Sequence, residues 1–154
     1  MADQLFDPRN LLLFGHIVGA ILLLGPLTAA TSRFPAVVST GTMPGDVAVA
    51  AELHRSTKAY GTAAVVVPVL GLVLAMRSDL VGAPWVLASL GLVAVAAMVL
   101  FAFVIPEQSK LIARLRSEGQ PPIAPSDLTR LRAATGAFAL TWIVIVLLMV
   151  AKPS

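Results

Sequence analysis

The sequence predicts an all-α fold, an integral membrane four-helix bundle formed by a single domain. Four stretches contain no Asp, Glu, Lys or Arg, and they cover residues 10–32, 59–76, 80–106 and 133–151. A hydrocarbon core about 30 Å thick requires roughly 20 helical residues, and unpaired backbone groups are too costly in lipid for an open structure other than a helix. The composition agrees, because hydrophobic residues make up 58% and charged residues 12%, about half the roughly 25% of soluble proteins.

The segments outside the spans are too short to form a second domain. The two longest, residues 33–58 and 107–132, have 26 residues each, and neither can bury a core of its own. The chain has no cysteine, which excludes disulfides, iron–sulfur clusters and thiolate zinc sites. One domain therefore accounts for residues 1–154.

The distribution of basic residues predicts the topology. Eight of the eleven Lys and Arg residues fall in the first and third connections. The positive-inside rule places both connections in the cytoplasm, with both termini and the turn at residues 77–79 on the outer side. We therefore expect a multi-pass protein of the bacterial cytoplasmic (inner) membrane, and basic residues beside membrane spans account for the pI near 10 without a nucleic-acid partner. The eight residues are Arg33, Arg55, Lys58, Lys110, Arg114, Arg116, Arg130 and Arg132.

Two amphipathic cytoplasmic segments are predicted beside the spans, at about residues 47–58 and 107–118. The first follows an N-cap at Asp46 and runs directly into the second span. The second collects its apolar residues on one face and is either a short helix on the inner leaflet or a solvated helical arm. The basic residues expected at the inner lipid headgroups are Arg33, Lys110, Arg114 and Arg116.

Small residues and prolines mark the predicted helix contacts and bends. Gly15 and Gly19 form a GxxxG pair on the first span, a pattern that allows close approach of a second helix within the bundle or from another protomer. Pro26 and Pro68 each remove a helical hydrogen bond, so kinks are expected at both. Trp142 falls near the midplane, where its indole N–H needs a freed carbonyl, Thr141 or a cofactor as partner.

His16 is the principal candidate site residue, because it is the only titratable side chain within the uncharged stretches apart from Tyr60 at the edge of one. Its possible roles are a structural hydrogen bond, a haem or metal ligand, or a proton-handling or quinone-contacting group. The other histidine, His54, lies about 30 Å away along the membrane normal in the predicted topology. A haem site would therefore use His16 with Met98 or with no second protein ligand.

The run LLLFGHIVGAILLLGPL at residues 11–27 resembles the first helix of a broad group of small four-span bacterial membrane proteins. The group includes the copper-resistance D type, the membrane protoporphyrinogen oxidase type and several families of unknown function. The shared pattern is a histidine followed by two small residues, here His16, Gly19 and Gly25. The resemblance implies a four-helix layout and, for some members, haem binding. This chain lacks the intramembrane Lys or second His of such a site, so it is most similar to the uncharacterised branch.

Two functions are compatible with these features. The first is a non-enzymatic accessory or assembly subunit of a larger membrane complex, for example a respiratory one, because the spans contain no acidic or basic pair from which to build an active site. Its partners would be the lipid bilayer and other membrane subunits or a second copy of the chain, with no cofactor. The alternative is a small redox protein that binds haem b or a quinone through His16. An ion-coupled transporter ranks third.

The topology can be tested by labelling introduced cysteines, since the chain has none of its own. Cysteines at Ser39 and Ser117 are expected to resist a membrane-impermeant thiol reagent applied to intact cells, because both positions lie in cytoplasmic connections, whereas a cysteine at Ser154 is expected to react. Permeabilised cells, in which all three positions react, serve as the control. The reverse pattern in intact cells would contradict the topology.

Overall fold

The computed structural model describes residues 7–40, 44–117 and 123–152 and shows four long helices in this part of the chain, with no strand. Helix α1 covers Pro8–Thr40, α2 comprises Pro44–Ala63 and Val66–Arg77, α3 covers Pro84–Arg116, and α4 covers Pro125–Ala151. Each is long and apolar enough to cross a membrane. The predicted all-α fold with four membrane helices is confirmed. Residues 118 and 154, which the sequence predictions include, lie outside the described residues.

The helices form an antiparallel bundle with both termini at one end. We call this the termini end, and the opposite end, where α1 leads to α2 and α3 leads to α4, the connection end. Helix α1 packs along the full length of α2, and α3 packs along α4. Near the connection end, α1 also contacts α4, and α2 contacts the last part of α3. At the termini end the contact between α2 and α3 is sparse, so the bundle is open there.

The two amphipathic segments are continuous with the membrane helices. Residues 47–58 belong to the first part of α2, and residues 107–116 complete α3. Leu111 and Ile112 are buried in the same hydrophobic cluster as Phe34 of α1. The second segment is therefore packed into the bundle, which differs from both the leaflet helix and the solvated arm expected from its amphipathic pattern.

The core lies mainly toward the connection end. None of the residues of the first part of α1, Pro8–Gly19, is fully buried. By contrast, Leu27, Phe34 and Leu131 are each at most 1% exposed. Burial of such side chains excludes lipid and fixes the packing through close contacts. The rest of this cluster comprises Val38, Ala50, Ala64, Ala96, Leu100, Val104, Leu111, Ile112 and Phe138.

Prolines distort three of the helices, in each case about one turn before the proline residue. A π-helical segment, Ala20–Leu24, precedes Pro26, and a second, Val99–Val104, precedes Pro106. Before Pro68 the helix is interrupted at residues 64–65, and the Val67 amide donates to the Ala64 carbonyl only three residues back, at 3.0 Å. Proline supplies no N–H and clashes with the preceding turn, so the helix widens or tightens locally. The distortion in α2 lies where this helix separates from α3.

Helix α2 lies close to α3 at Gly61. A Cβ at this position would lie 2.9 Å from Leu100 Cδ2, a buried side chain of α3. We expect Gly61→Ala to lower the free energy of unfolding by about 1 kcal/mol, at the low end for overpacking because a leucine methyl group can shift. Gly91→Ala is the matched control, since nothing lies within 4 Å of its Cβ position. Unfolding by titration with a denaturing detergent measures both variants, and an equal effect would contradict the described helix contact.

Candidate ligand-binding site around His16

His16 is fixed by a hydrogen bond between helices. Its Nδ1 lies 2.8 Å from the backbone carbonyl oxygen of Val67 on α2. A carbonyl oxygen only accepts, so Nδ1 carries the hydrogen and donates it. In the neutral imidazole the other nitrogen, Nε2, is then an acceptor with a free lone pair.

Glycines create the space that this bond requires. A Cβ at Gly71 would lie 2.8 Å from His16 Cε1 and 3.2 Å from Nδ1, so the imidazole lies directly against the α2 backbone. Gly15 and Gly19 face the same helix. A Cβ added at Gly15 would lie 3.7 Å from Leu70 Cδ1, and one added at Gly19 would lie 3.4 Å from Val67 Cγ2. The GxxxG pair therefore lies at the α1–α2 contact within the bundle, which holds His16 at hydrogen-bonding distance from Val67.

A cavity of about 240 Å³ opens beside His16 at the termini end. Its walls come mostly from α2 and α3, the two helices that diverge there, and include Gly71, Trp85 and Val93. Arg9 and Lys152 line it as well, and both are exposed. Arg9 lies seven residues before His16 on α1, about 10 Å along the helix axis. The cavity thus has mainly apolar walls, one imidazole and two cations toward its polar end.

His16 Nε2 remains available to a ligand in this cavity. It has no hydrogen-bond partner among the described residues. Trp142 Nε1 is the one side-chain nitrogen or oxygen in the described part of the chain that is both buried and without a partner. His16 Nε2 is therefore accessible as well as unbonded, and His16 is a lining residue of the cavity.

A second, smaller cavity of about 40 Å³ lies deeper, around Trp142. Trp142 packs edge-to-face against Phe138 with ring centroids 6.0 Å apart. Its indole N–H has no partner among the described residues, and the Thr141 hydroxyl donates to the Ala137 carbonyl at 2.8 Å instead. Trp142 therefore bonds neither a freed backbone carbonyl nor Thr141, the two protein partners expected from the sequence. It lines this second cavity and not the one at His16.

The structure does not bring Met98 to His16. Met98 is 61% exposed and lines neither cavity. Met149 of α4 is the methionine that shares the cavity with His16. A volume of about 240 Å³ is below the roughly 300–1,000 Å³ of typical ligand pockets, and a tetrapyrrole is a large ligand. The residues around His16 therefore do not fit a haem.

His54 belongs to a separate polar cluster near the connection end. Its Nδ1 donates to Gln108 Oε1 at 3.1 Å, and Gln108 Nε2 lies 3.4 Å from the Thr57 hydroxyl, which donates to the Leu53 carbonyl. Gln108 and Thr57 are fully buried. This network satisfies a buried amide between α2 and α3. His54 precedes Val67 by thirteen residues on α2, about 20 Å along the helix, so the two histidines lie at different sites.

The four basic residues expected at headgroups lie on the exposed surface toward the connection end. Lys110 pairs with Glu107 at 2.6 Å, and Arg114 pairs with Asp127 at 3.0 Å, which joins the end of α3 to the start of α4. Arg33 and Arg116 have no hydrogen bond or ion pair with the described residues. Their placement at headgroups stays a prediction.

The groups available to a ligand at His16 are one imidazole nitrogen and two cations. No group of three His, Cys, Asp or Glu side chains is close enough to hold a metal ion among the described residues. The cavity lining that the structure shows includes no carboxylate. His16 can accept a hydrogen bond, and the two cations can attract an anion or a polar headgroup.

Sequence reasoning identified His16 and missed the residues that form its cavity. Gly71 has a sequence signal, since it lies three residues after Pro68 in an otherwise bulky apolar run. Gly at such a position is typical of a close approach by another group. Arg9, Met149 and Lys152 have no comparable signal, because only the bundle brings the two chain ends together.

One comparison with known proteins produced a match. The family described as "Predicted integral membrane protein (DUF2269)" matches residues 10–153. Neither the comparison with curated proteins nor that with solved structures found a significant match.

The contact between Gly71 and His16 can be tested with a double-mutant cycle. Gly71→Ala is expected to displace the imidazole, break its bond to Val67 and lower the free energy of unfolding by about 1–2 kcal/mol. In a His16→Ala background the same change is expected to have little effect, because there is no imidazole to displace. Unfolding in mixed detergent micelles provides the free energies. Additive effects of the two substitutions would contradict the contact.

Proposed function

The chain belongs to the DUF2269 family of predicted integral membrane proteins, and we propose that it binds a membrane quinol in the cavity beside His16. The protein would act as a non-enzymatic subunit of the bacterial cytoplasmic membrane that holds this ligand. A quinol is a lipophilic ring that carries two hydroxyl groups, so it combines an apolar body with hydrogen-bond donors.

The observation that carries the proposal is the state of the His16 ring. Its Nδ1 donates to the Val67 carbonyl at 2.8 Å, which leaves Nε2 as an unbonded acceptor. A quinol hydroxyl can donate to that nitrogen. A quinone has carbonyl oxygens and no hydroxyl donor, so the neutral imidazole discriminates in favour of the reduced ligand.

The cavity suits a single-ring ligand. Its volume of about 240 Å³ accommodates one substituted ring, and its walls are mainly apolar, with Trp85 among the lining side chains. Burial of the ring against these walls supplies most of the binding free energy. The hydrogen bond to His16 fixes the orientation and the specificity, since an unpaired hydroxyl in an apolar site is unfavourable.

The proposed role of these residues is to hold a quinol. His16 would hold the hydroxyl hydrogen, Val67 would hold the imidazole, and the apolar walls would exclude water. This role fits an accessory subunit that presents or stores the ligand for another protein.

A second candidate, an assembly subunit without a ligand, is supported by one face of α4. Ala133, Gly136 and Ala137 are exposed, and nothing lies within 4 Å of a Cβ at Gly136. Small residues exposed on a membrane helix allow a helix of another subunit to pack closely. In this case native electrophoresis of membrane extracts should show a complex that Gly136→Leu removes and Gly91→Leu retains. A complex unaffected by both variants would argue against this face.

Quinol binding can be measured with tetramethylhydroquinone and the purified protein in lipid nanodiscs under anaerobic, reducing conditions. We expect binding to the wild type that His16→Leu weakens about tenfold, equivalent to about 1.4 kcal/mol, a typical value for the loss of one hydrogen bond. His54→Gln is the control and should bind normally, because His54 lies at the other site.

The oxidised probe, tetramethylbenzoquinone, provides the second comparison. In the wild type it should bind more weakly than the quinol. In His16→Leu it should bind at least as tightly as the quinol, because the imidazole acceptor is gone and the quinol hydroxyl is left unpaired. Equal affinity of the wild type for both forms, or unchanged quinol binding in His16→Leu, would contradict the proposal.

A further inference from the structure

The two cavities adjoin each other along the α2–α3 interface. Pro68 of α2 and Val93 of α3 line both of them. The larger cavity holds His16 toward the termini end, and the smaller one extends from the shared residues to Trp142 and Phe138 of α4. Pro68 and Val93 therefore lie between a site with a polar group and a deeper apolar space.

The structure explains why this space is present. Pro68 interrupts the regular hydrogen bonding of α2 at residues 64–65, and beyond this point α2 and α3 make few contacts. The deeper space is bounded by Gly61 and Ala64 on α2 and by Ala97 and Phe101 on α3. Small side chains on one part of the wall and aromatic rings on another leave a slot that no described side chain fills.

The smaller cavity is apolar throughout. Trp142 Nε1, although near it, is buried within the protein and not exposed to the space. Water requires two to four polar partners in a cavity, and this lining offers none that is exposed. The space is therefore suited to hydrocarbon.

We infer that the protein binds a tailed quinol, with the ring at His16 and the first part of an isoprenoid or alkyl tail passing between Pro68 and Val93 into the cavity at Trp142. This inference rests on the proposed function and adds the class of ligand, a hydroquinone with a hydrophobic chain. The levels of Val67 and Gly61 on α2 differ by about 9 Å along the helix axis, so a short length of tail reaches from the ring site to the deeper space.

The two tryptophans of the chain report on the two cavities separately. The sequence contains only Trp85 and Trp142, and Trp85 lines the larger cavity whereas Trp142 lines the smaller one. The variant Trp85→Phe emits from Trp142 alone. A decyl-substituted hydroquinone with a bromine at the end of its tail should then quench this emission on binding, because a heavy atom quenches only at close range.

A substitution within the smaller cavity tests the route of the tail. Ala97 lines the smaller cavity and not the one at His16. Ala97→Phe, introduced into the Trp85→Phe protein, should fill the smaller cavity, abolish quenching of Trp142 and lower the affinity for the decyl compound to that of tetramethylhydroquinone. Ala94→Phe is the matched control, since Ala94 is exposed on the same helix, and quenching should persist. Retained binding of tetramethylhydroquinone by Ala97→Phe shows that this variant is folded.

The results separate the two proposals. If tetramethylhydroquinone binds through His16 but the brominated tail leaves Trp142 unquenched, or quenches it equally in Ala97→Phe, the tail site is wrong and the quinol site stands. If neither hydroquinone binds the wild type, both proposals are wrong. Quenching that Ala97→Phe abolishes, together with tighter binding of the tailed compound to the wild type, is the result expected here.

Discussion

The hydrogen bond between His16 and the Val67 carbonyl is the interaction on which the site depends. A histidine inside a membrane helix needs a polar partner, because lipid offers none. Here the partner is a backbone carbonyl of the neighbouring helix, reached at 2.8 Å because Gly71 has no side chain in the way. The bond has two consequences. It holds the termini-end halves of α1 and α2 together where few side chains are buried, and it leaves the second ring nitrogen as an acceptor with no hydrogen-bond partner among the described residues.

The two ends of the bundle differ in packing, and this difference separates stability from binding. The connection half contains the cluster around Leu27, Phe34 and Leu131 and the buried amide of Gln108, so all four helices are fixed there. In the termini half, α2 and α3 diverge after the interruption before Pro68. The scaffold thus tolerates a cavity at one end because the other end specifies the fold. A bundle that is tightly packed at one end, here the connection end, and open at the other, here the termini end, is a common arrangement for ligand sites between helices.

The sequence predicts those features of the fold that the lipid bilayer requires. Four uncharged stretches of about 20 residues can only be membrane helices, and the GxxxG pair indicated a close contact of α1, though not its partner. The extension of α3 beyond Pro106 was not predictable, because a proline followed by charged residues also marks the end of a span. Only the burial of Leu111 and Ile112 in the core cluster decides that the helix continues.

The candidate site was predictable only in part. A single histidine in an uncharged stretch is recognisable from the sequence as a candidate site residue. Its tautomer, however, depends on which group its ring contacts across the bundle. Gly71 contributes by having no side chain. Arg9 and Lys152 line the same cavity only because an even number of spans returns the chain to the same end. Met98 was a reasonable second ligand by residue type, but the helix rotation places it on the exposed surface at 61%. Long-range register is thus the information that one sequence lacks.

The most direct test of this account is the ¹⁵N NMR spectrum of the His16 ring, in protein labelled at histidine and carrying His54→Gln so that one imidazole remains. The account predicts a neutral ring with the hydrogen on Nδ1 and a bare Nε2, and a change in the Nε2 signal on addition of tetramethylhydroquinone. A ring with its hydrogen on Nε2, or an Nε2 signal that the hydroquinone leaves unchanged, would contradict it.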